Sequence, residues 1–439
     1  MPAHRAHHSR AGSRTSLWSS AAALLAGATL LAPAGAASAT QLSAAGVPTH
    51  TTAVEAPTAV VSSAEYHLGD QAFAIPGSEG ASSELTGIVH YPNSLGTGRH
   101  PVVVILHGLA NSCDDRQAWA ALQKAQEAGD EDETVRQVGY LNQWPCRDGV
   151  APLASYRGYD YLGERLARQG IVTVSVSADG INAAGLFGND DMSARAALVN
   201  RHLEMWAQLA ERGTGPLAGK FTRPGTRQPV SVDFRGRLDM KDIGTIGHSR
   251  GGAAVQWHSS ATHRKDWPDG VRIKAVLPLA SAILGDGTPD QYLPAPDIPF
   301  MDTFGTCDRG GFSSISEGDY FYKEAVARPD QRAVVRTVHL GGGNHNFFNT
   351  RWSPSSGVAG AADDAWHDGP AGTCVSDADD TTDIPQLSET TQRHALATYA
   401  TAFFQRYLTG DTSLNPVLNG ETHPLGPAVP VEVSTFVPK

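Results

Sequence analysis

The chain has 439 residues, of which 41% are hydrophobic and 18% are charged, and its formal net charge is −11 at pH 7. This balance is typical of a globular protein with enough apolar side chains for one large α/β domain or two medium ones. The acidic charge argues against nucleic acid and anionic membrane surfaces as partners, because both are negatively charged themselves.

The first 39 residues have the features of a secretory signal peptide. A positively charged N-terminal segment with three arginines precedes the apolar stretch AAALLAGATLLAPAGAA, and Ala37–Ala39 fits a small-residue cleavage site. A membrane anchor is the alternative, but glycine and proline interrupt this short stretch, so we expect no stable anchor. Cleavage near Ala39 would remove those three arginines and no acidic residue, which lowers the net charge from −11 to −14. The sequence therefore predicts a secreted protein.

Four cysteines follow, at Cys113, Cys146, Cys307 and Cys374. An even number in an exported chain predicts two disulfides, for which three pairings exist. We favour the local pairs Cys113–Cys146 and Cys307–Cys374, with free buried thiols as the alternative. The chain has no C-x-x-C pair, so we expect no zinc site.

Strand-like and helix-like segments alternate along the chain. Residues 40–63 have no clear period and predict a flexible leader. AEYHLGDQAFAIP and SELTGIVHYP then predict an antiparallel pair of strands. In HPVVVILHG, Val102–Leu106 are consecutive aliphatic residues, which is typical of a parallel strand buried on both faces. YDYLGERLARQG predicts a helix, and IVTVSVSADG predicts a second buried strand.

The same alternation continues to residue 410. Asp191–Arg212 predicts a long helix ending at Gly213, and the strand DIGTIGHS is followed by the helix RGGAAVQWHSSATH. RIKAVLPLA, IPFMDTFG and RAVVRTVHLGG predict the last three strands, and TTQRHALATYATAFFQRYLTG predicts a final helix that ends at Gly410. Residues 64–410 therefore predict one α/β domain with a mainly parallel sheet and helices on both faces. Residues 411–439 are rich in proline and predict an extended tail.

Two connections are too long to be simple turns. They span Ala110–Arg157 and Asn346–Glu389, and connections of this length are usually functional loops or disordered segments. The second includes the acidic segment 362–383, whose several carboxylates would suit calcium. It lacks the D-x-D-x-D-G spacing of a known calcium loop, so we favour a solvated loop held by Cys374.

A G-x-S-x-G pattern occurs at Gly247–Gly251, between a predicted strand and a predicted helix. A serine nucleophile on such a turn needs a strained backbone, and the residues two positions away on each side must lack bulk. The helix N-terminus behind it favours an anionic intermediate. We predict Ser249 as a nucleophile; the alternative is a tight turn whose serine caps the helix.

A serine nucleophile needs a general base, which we predict to be His345. His345 lies in the glycine-rich loop just after the last predicted parallel strand, at the carboxyl edge where sites of open α/β sheets gather. The alternatives are His339 inside that strand, His394 on the final helix and His367 in the acidic segment.

The histidine in turn needs a carboxylate to orient it, and Asp308 follows the penultimate predicted strand at the same edge. Asp286 after the preceding strand is the main rival, and Asp302 lies within a strand. A disulfide from the neighbouring Cys307 to Cys374 would brace the loop of Asp308.

Stabilisation of a tetrahedral intermediate needs two preorganised backbone donors. We assign one to the amide of Arg250, directly after the nucleophile. The other is assigned to the amide of Leu109, because His107-Gly108 ends the strand HPVVVILHG and Leu109 is next.

Four short motifs together resemble the α/β-hydrolase superfamily. LHGLA, GHSRGG, GTCDRGG and GNHNFF occur in its order and spacing, and the resemblance covers Glu65 to Leu408. The chain is similar to secreted bacterial esterases, a group with platelet-activating-factor acetylhydrolase-like, cutinase-like and dienelactone-hydrolase-type proteins, and GHSRGG is also seen in chlorophyllases. The resemblance implies the α/β-hydrolase fold and a serine hydrolase without cofactor or metal. It places the nucleophile at Ser249, the acid at Asp308 and the base at His345.

The chain also departs from the polyester hydrolases of that group. They usually carry methionine after the serine and an aromatic residue after the oxyanion glycine, where this chain has Arg250 and Leu109. With the two long connections, this predicts a covered, more selective pocket. We expect a secreted monomer that cleaves small-molecule or polymeric carboxylic esters. The alternatives are a peptidase or amidase on the same triad, and a non-catalytic binding protein of this fold.

Overall fold

The computed structural model describes residues 60–283, 287–308, 319–365, 369–375 and 381–439. The predicted signal peptide, the leader up to residue 59, the rival acid Asp286 and the rival base His367 lie outside the described residues. Within the described ranges, no helix combines the length and apolar character needed to cross a bilayer.

Strands and helices alternate through the described ranges, as the hydrophobic pattern predicts. The strands are β1 Val61–His67, β2 Phe73–Ala74, β3 Ser82–Ser83, β4 Thr86–Pro92, β5 His100–Leu106, β6 Val172–Val176, β7 Phe221–Thr222, β8 Leu238–His248, β9 Ile273–Leu279, β10 Phe300–Gly305, β11 Val335–Leu340, β12 Thr373–Val375, β13 Asp383–Pro385 and β14 Val431–Phe436. The helices are α1 Arg116–Ala128, α2 Glu131–Leu141, α3 Asp160–Ala167, α4 Asp179–Ala183, α5 Gly188–Arg212, α6 Arg250–Ser259, α7 Pro289–Tyr292, α8 Tyr320–Ala327, α9 Glu389–Phe404 and α10 Asn415–Leu418.

One large sheet organises this part of the chain. Its strand order is β14-β11-β10-β9-β8-β5-β6-β4-β1-β7, a sheet of ten strands among the described residues. The strands from β11 to β6 pair in parallel, and the antiparallel strands lie at the two ends. The prediction of an α/β fold with a mainly parallel sheet is confirmed, and so is the antiparallel pair β1 and β4.

Helices cover both faces of the sheet. Successive side chains of a strand point to opposite faces, so a strand made only of apolar residues needs helices on both sides. Along β5, Val102 and Leu106 pack in one core cluster with residues of α5 such as Trp206. Val103 packs in the other cluster with residues of α3 and α9, including Phe403. The run Val102–Leu106 is at most 1% exposed. The continuous aliphatic run therefore reflects burial on both faces, as predicted.

The C-terminal segment contributes an edge strand. β14 pairs antiparallel with β11, from Val431 opposite Leu340 to Phe436 opposite Val335. The expectation that β11 is the last strand is therefore wrong, and the expected extended tail ends within the main sheet. The open edge of β11 offers unpaired backbone groups, and VEVSTF is rich in β-branched residues that suit a strand. The surrounding prolines hide this signal in the sequence.

The first long connection is a helical hairpin and not a loop. Asp115 caps α1 by accepting from the amide of Ala118 at 2.9 Å, and Asp130 caps α2 by accepting from the amide of Glu133 at 3.0 Å. Side-chain caps of this kind satisfy the free amides of the first turn. The expectation of a functional loop or a disordered segment over Ala110–Arg157 is corrected for the part between Arg116 and Leu141, where these two helices form.

Both predicted disulfides are present. Cys113 pairs with Cys146 across the base of the helical hairpin, and Cys307 pairs with Cys374. The two bonds use all four cysteines of the chain. The preferred local pairing is confirmed, and it is compatible with a protein of an oxidising, extracellular compartment.

Candidate active site

Ser249 occupies the turn between β8 and α6 in a strained backbone conformation. Its φ is 58° and its ψ is −124°, values that a residue with a side chain rarely adopts. Such a conformation costs of the order of 1–3 kcal/mol and persists only where the surroundings enforce it. Here the Ser249 amide donates to the carbonyl of Leu279 at 2.9 Å, and its carbonyl accepts from the amide of Gly252 at 2.8 Å. The turn is held from both sides.

The glycines around Ser249 are required by close backbone contacts. A Cβ on Gly247 would lie 2.0 Å from the carbonyl oxygen of Gly251. A Cβ on Gly251 would lie 2.4 Å from the carbonyl oxygen of Leu106, at the end of β5. Backbone atoms cannot move aside as a flexible side chain can. The two glycines therefore allow α6 to start against the ends of β5 and β8.

The predicted acid and base meet at the same edge of the sheet. Asp308 follows β10 and His345 follows β11, two adjacent parallel strands. The Nδ1 atom of His345 lies 2.8 Å from Oδ2 of Asp308, and both side chains are largely buried. The hydrogen bonds of the described residues do not include one from the Ser249 hydroxyl to His345. Such bonds are often long in the absence of substrate and tighten in the complex.

The described rivals lie away from this pair. Asp302 is inside β10, where burial raises the pKa of its carboxyl well above the ordinary range. His339 is inside β11, and its Nε2 lies 2.7 Å from Oδ1 of Asp319. His394 is exposed on α9. None of the three shares the Asp308–His345 contact.

Aromatic rings enclose the histidine. The ring centroid of His345 lies 4.7 Å from that of His248 and 6.4 Å from that of Trp352. Burial holds the pKa of His248 well below its ordinary value, and its Nδ1 lies 2.9 Å from the Tyr159 hydroxyl. His248 is therefore a neutral neighbour that adds no positive charge beside His345.

A second carboxylate, Asp364, holds the loop of His345. It accepts from the amide of His345 at 3.1 Å and from the amide of Asn346 at 2.8 Å. The adjacent Asp363 accepts instead from the side chain of Asn344. The sequence prediction treated this part of the acidic segment as solvated or calcium-binding. In the described part of that segment, these carboxylates are instead bonded to the histidine loop.

The two carboxylates shift the protonation of His345. Burial lowers the pKa of the imidazole, but the charges of Asp308 and Asp364 outweigh it and raise that pKa to about 9. Burial likewise raises the pKa of Asp364 to about 7, against the opposing charge of His345. The site therefore favours the protonated imidazole, the form that a general base assumes after it takes a proton.

Asp308, His345 and Asp364 also have the composition of a cation site, with one donor atom from each lying within 4.8 Å of the others. Two of these donors, however, are already bonded to each other in the Asp308–His345 pair. This arrangement matches an acid that orients a base.

Gly108 brings the loop after β5 against the serine turn. A Cβ on Gly108 would lie 2.5 Å from Cβ of Ser249 and 3.1 Å from the amide nitrogen of Arg250. The Leu109 amide, next to Gly108, and the Arg250 amide, next to Ser249, both lack a protein acceptor among the described residues, as the predicted oxyanion site requires.

The Arg250 side chain is engaged by the segment before and at the start of α5. Its guanidinium donates to the carbonyl of Leu186 at 3.0 Å and lies 5.5 Å from the ring centroid of Phe187. It is 3.9 Å from Oδ1 of Asp191. This anchoring gives the residue after Ser249 a side-chain role besides the predicted role of its backbone amide.

An apolar pocket adjoins the serine turn. The amide of Ala282 donates to the Ser249 carbonyl at 3.2 Å, and Ala282 is also part of the pocket wall. The other lining residues are Met192, Ala253, Ile283, Tyr292, Tyr320 and Phe321.

Buried residues beneath the loop of Gly108 were missed by the sequence prediction, above all Asn182 and Arg195. Arg195 carries a signal that could have been used. Arg195 and Asp191 lie four and eight residues before Val199, and this spacing places them on the apolar face of α5 with Val199. An acidic and a basic residue four apart on an apolar stripe indicate a buried ion pair. Asn182 has no comparable signal, because its contacts join segments far apart in sequence.

The sequence matches no protein-family model and no curated protein.

Proposed function

We propose that this protein is a serine hydrolase of the α/β-hydrolase fold that cleaves carboxylic esters. The observation that carries the proposal is the strained Ser249 at the carboxyl edge of a mainly parallel sheet, where the Asp308–His345 pair also lies. A helix cap needs no positive φ at the serine, whereas an exposed nucleophile on a strand-to-helix turn does. The Asp308 contact orients the imidazole and supports its positive form.

The reaction then proceeds in two halves. The Ser249 hydroxyl oxygen attacks the ester carbonyl carbon while His345 Nε2 takes its proton. The amides of Leu109 and Arg250 donate to the oxygen that becomes negative. The tetrahedral intermediate collapses as the C–O bond to the alcohol breaks, and His345 returns the proton to the alcohol. Water, deprotonated by His345, attacks the acyl carbon of the acyl-serine. The bond from this carbon to the Ser249 oxygen breaks, His345 returns the proton to that oxygen, and the acid is released.

The pocket beside α6 has an aliphatic and aromatic lining and borders the backbone of Ser249, but it has room for about one water molecule. The proposal therefore names the ester class and no particular acyl group. Secretion belongs to the same proposal: residues 1–39 would direct export, and the two disulfides suit an oxidising compartment.

Replacement of the nucleophile tests the proposal. Ser249→Ala should lower kcat/KM for p-nitrophenyl esters by about 10⁴-fold or more and abolish labelling by a fluorophosphonate probe. Ser260→Ala is the matched control, because its buried hydroxyl has no hydrogen-bond partner among the described residues and its removal breaks no hydrogen bond there. Unchanged turnover or labelling of Ser249→Ala would refute the proposal. Faster cleavage of a matched anilide than of the ester would instead indicate an amidase.

A further inference from the structure

Two donors fix the orientation of the peptide between Gly108 and Leu109. The Gly108 carbonyl lies 2.9 Å from Nδ1 of His107 and accepts from the side-chain amide of Asn182 at 3.2 Å. Nε2 of His107 accepts from the amide of Ala178 at 2.8 Å, so the ring proton sits on Nδ1 and points to the Gly108 oxygen. Burial lowers the pKa of His107 to about 3, which keeps the ring neutral.

The direction of this carbonyl determines the direction of the Leu109 N–H. A trans peptide is planar, so its C=O and N–H point in opposite directions, and a fixed oxygen leaves the N–H no rotational freedom. Hydrogen bonds accepted by the carbonyl also polarise the peptide and strengthen its N–H as a donor. Groups behind the loop can therefore set both the aim and the strength of the proposed oxyanion donor.

Hydrogen bonds hold both the nitrogen and the oxygen of the Asn182 side-chain amide. Its amide nitrogen donates to the carbonyls of Gly108 at 3.2 Å and Ala110 at 3.3 Å, on both sides of Leu109. Its oxygen accepts from Nη2 of Arg195 at 2.5 Å. The guanidinium can only donate, so the Asn182 oxygen must face it and the NH₂ group must face the loop. Asn182 is 5% exposed, and this burial shields these bonds from competing water.

Arg195 anchors Asn182 to a long helix. It is fully buried in α5, its Nε donates to Oδ2 of Asp191 at 2.9 Å, and its Nη1 donates to the carbonyl of His107 at 3.3 Å. Burial of a charged pair costs desolvation free energy, and such pairs are weak sources of stability. A buried guanidinium that contacts both the loop and the residue holding the loop has a geometric role that a hydrophobic side chain could not fill.

We infer that Asn182 is a positioning residue for ester hydrolysis, which orients the Leu109 amide toward the developing oxyanion. Arg195 in turn holds Asn182 in place. The inference rests on the proposed function. It assigns the support of the oxyanion site to α4 and α5, away from Ser249, Asp308 and His345.

Steady-state kinetics of the full chain test this role. Asn182→Ala should lower kcat for p-nitrophenyl butyrate by about 10- to 100-fold with little change in KM. A Leu109 amide that points away from the oxyanion weakens a hydrogen bond that forms mainly in the transition state. Affinity for a trifluoromethyl ketone, whose adduct carries the oxyanion, should fall by the same factor. Asn182→Asp should show the same losses, since it keeps the size and the acceptor for Arg195 but replaces the donor group.

Asn200→Ala is the matched control. Asn200 also lies on α5, and its side-chain oxygen bonds to the buried His258 and not to the loop. The variant should match the wild type in kcat and in ketone affinity. Wild-type values for both Asn182 variants, or equal losses in Asn200→Ala, would overturn the inference while the hydrolase proposal stands. A wild-type chain that neither cleaves esters nor reacts with a fluorophosphonate would instead refute the proposed function, and the inference with it.

Discussion

Asp364, which does not belong to the proposed triad, should set the pH at which hydrolysis becomes active. A donor atom of Asp364 lies within 4.8 Å of one on His345. Coulomb's law at this distance gives about 3 kcal/mol for a full charge pair at an effective dielectric constant of about 20. Since about 1.4 kcal/mol corresponds to one pKa unit, neutralising Asp364 should lower the pKa of His345 from about 9 by at most about two units.

The sign of the effect follows from the role of the base. Only neutral His345 can take the serine proton, so activity rises as the pH passes through its pKa. Asp364→Asn removes the charge and keeps one oxygen, which can accept from the amide of His345 or from that of Asn346 but not from both. The acid limb of kcat/KM should therefore move to lower pH by about one to two pH units.

The assay is kcat/KM for p-nitrophenyl acetate between about pH 5.5 and 10, corrected for spontaneous hydrolysis. Asp363→Asn is the matched control, because Asp363 bonds to Asn344 and the amide of Ala365 and not to His345. Its profile should follow the wild type. An acid limb that stays in place in Asp364→Asn, or moves to higher pH, would refute the assignment of Asp364 as the second charge on His345.

Two further predictions concern the frame of the site. Gly108→Ala should lower kcat/KM by about 100-fold, because its Cβ would lie 2.5 Å from Cβ of Ser249 and displace the turn. Gly98→Ala, with no heavy atom within 4 Å of its Cβ position, should leave the rate unchanged, and equal rates for the two variants would contradict the argument. Replacing Cys307 and Cys374 together by alanine should lower the free energy of unfolding in urea by about 4 kcal/mol, because their bond closes 67 residues. It should also lower kcat/KM, because Asp308 follows Cys307; full retention of stability and rate would refute this role.

Local sequence was sufficient for much of this fold and for the triad candidates. A run such as Val102–Leu106 reveals a doubly buried strand by itself, and the glycines around Ser249 reveal a tight strand-to-helix turn. Asp308 and His345 were found because each follows a predicted strand, and adjacent parallel strands end at one edge. Their 2.8 Å contact follows from that topology. The disulfide pairs were likewise the local ones.

The support of the site was decided only by the tertiary structure. Asp364 meets the loop of His345, and Asn182 meets the Gly108 carbonyl, through side-chain directions that no periodic pattern encodes. β14 reaches the edge of β11 from the far end of the chain. A hydrogen bond between distant segments depends on where both backbones lie in space, whereas burial and turn formation depend on neighbours in sequence. The sequence by itself therefore determined the sheet and the triad candidates. Only the folded chain determined the side chains that contact the loops of Gly108 and His345.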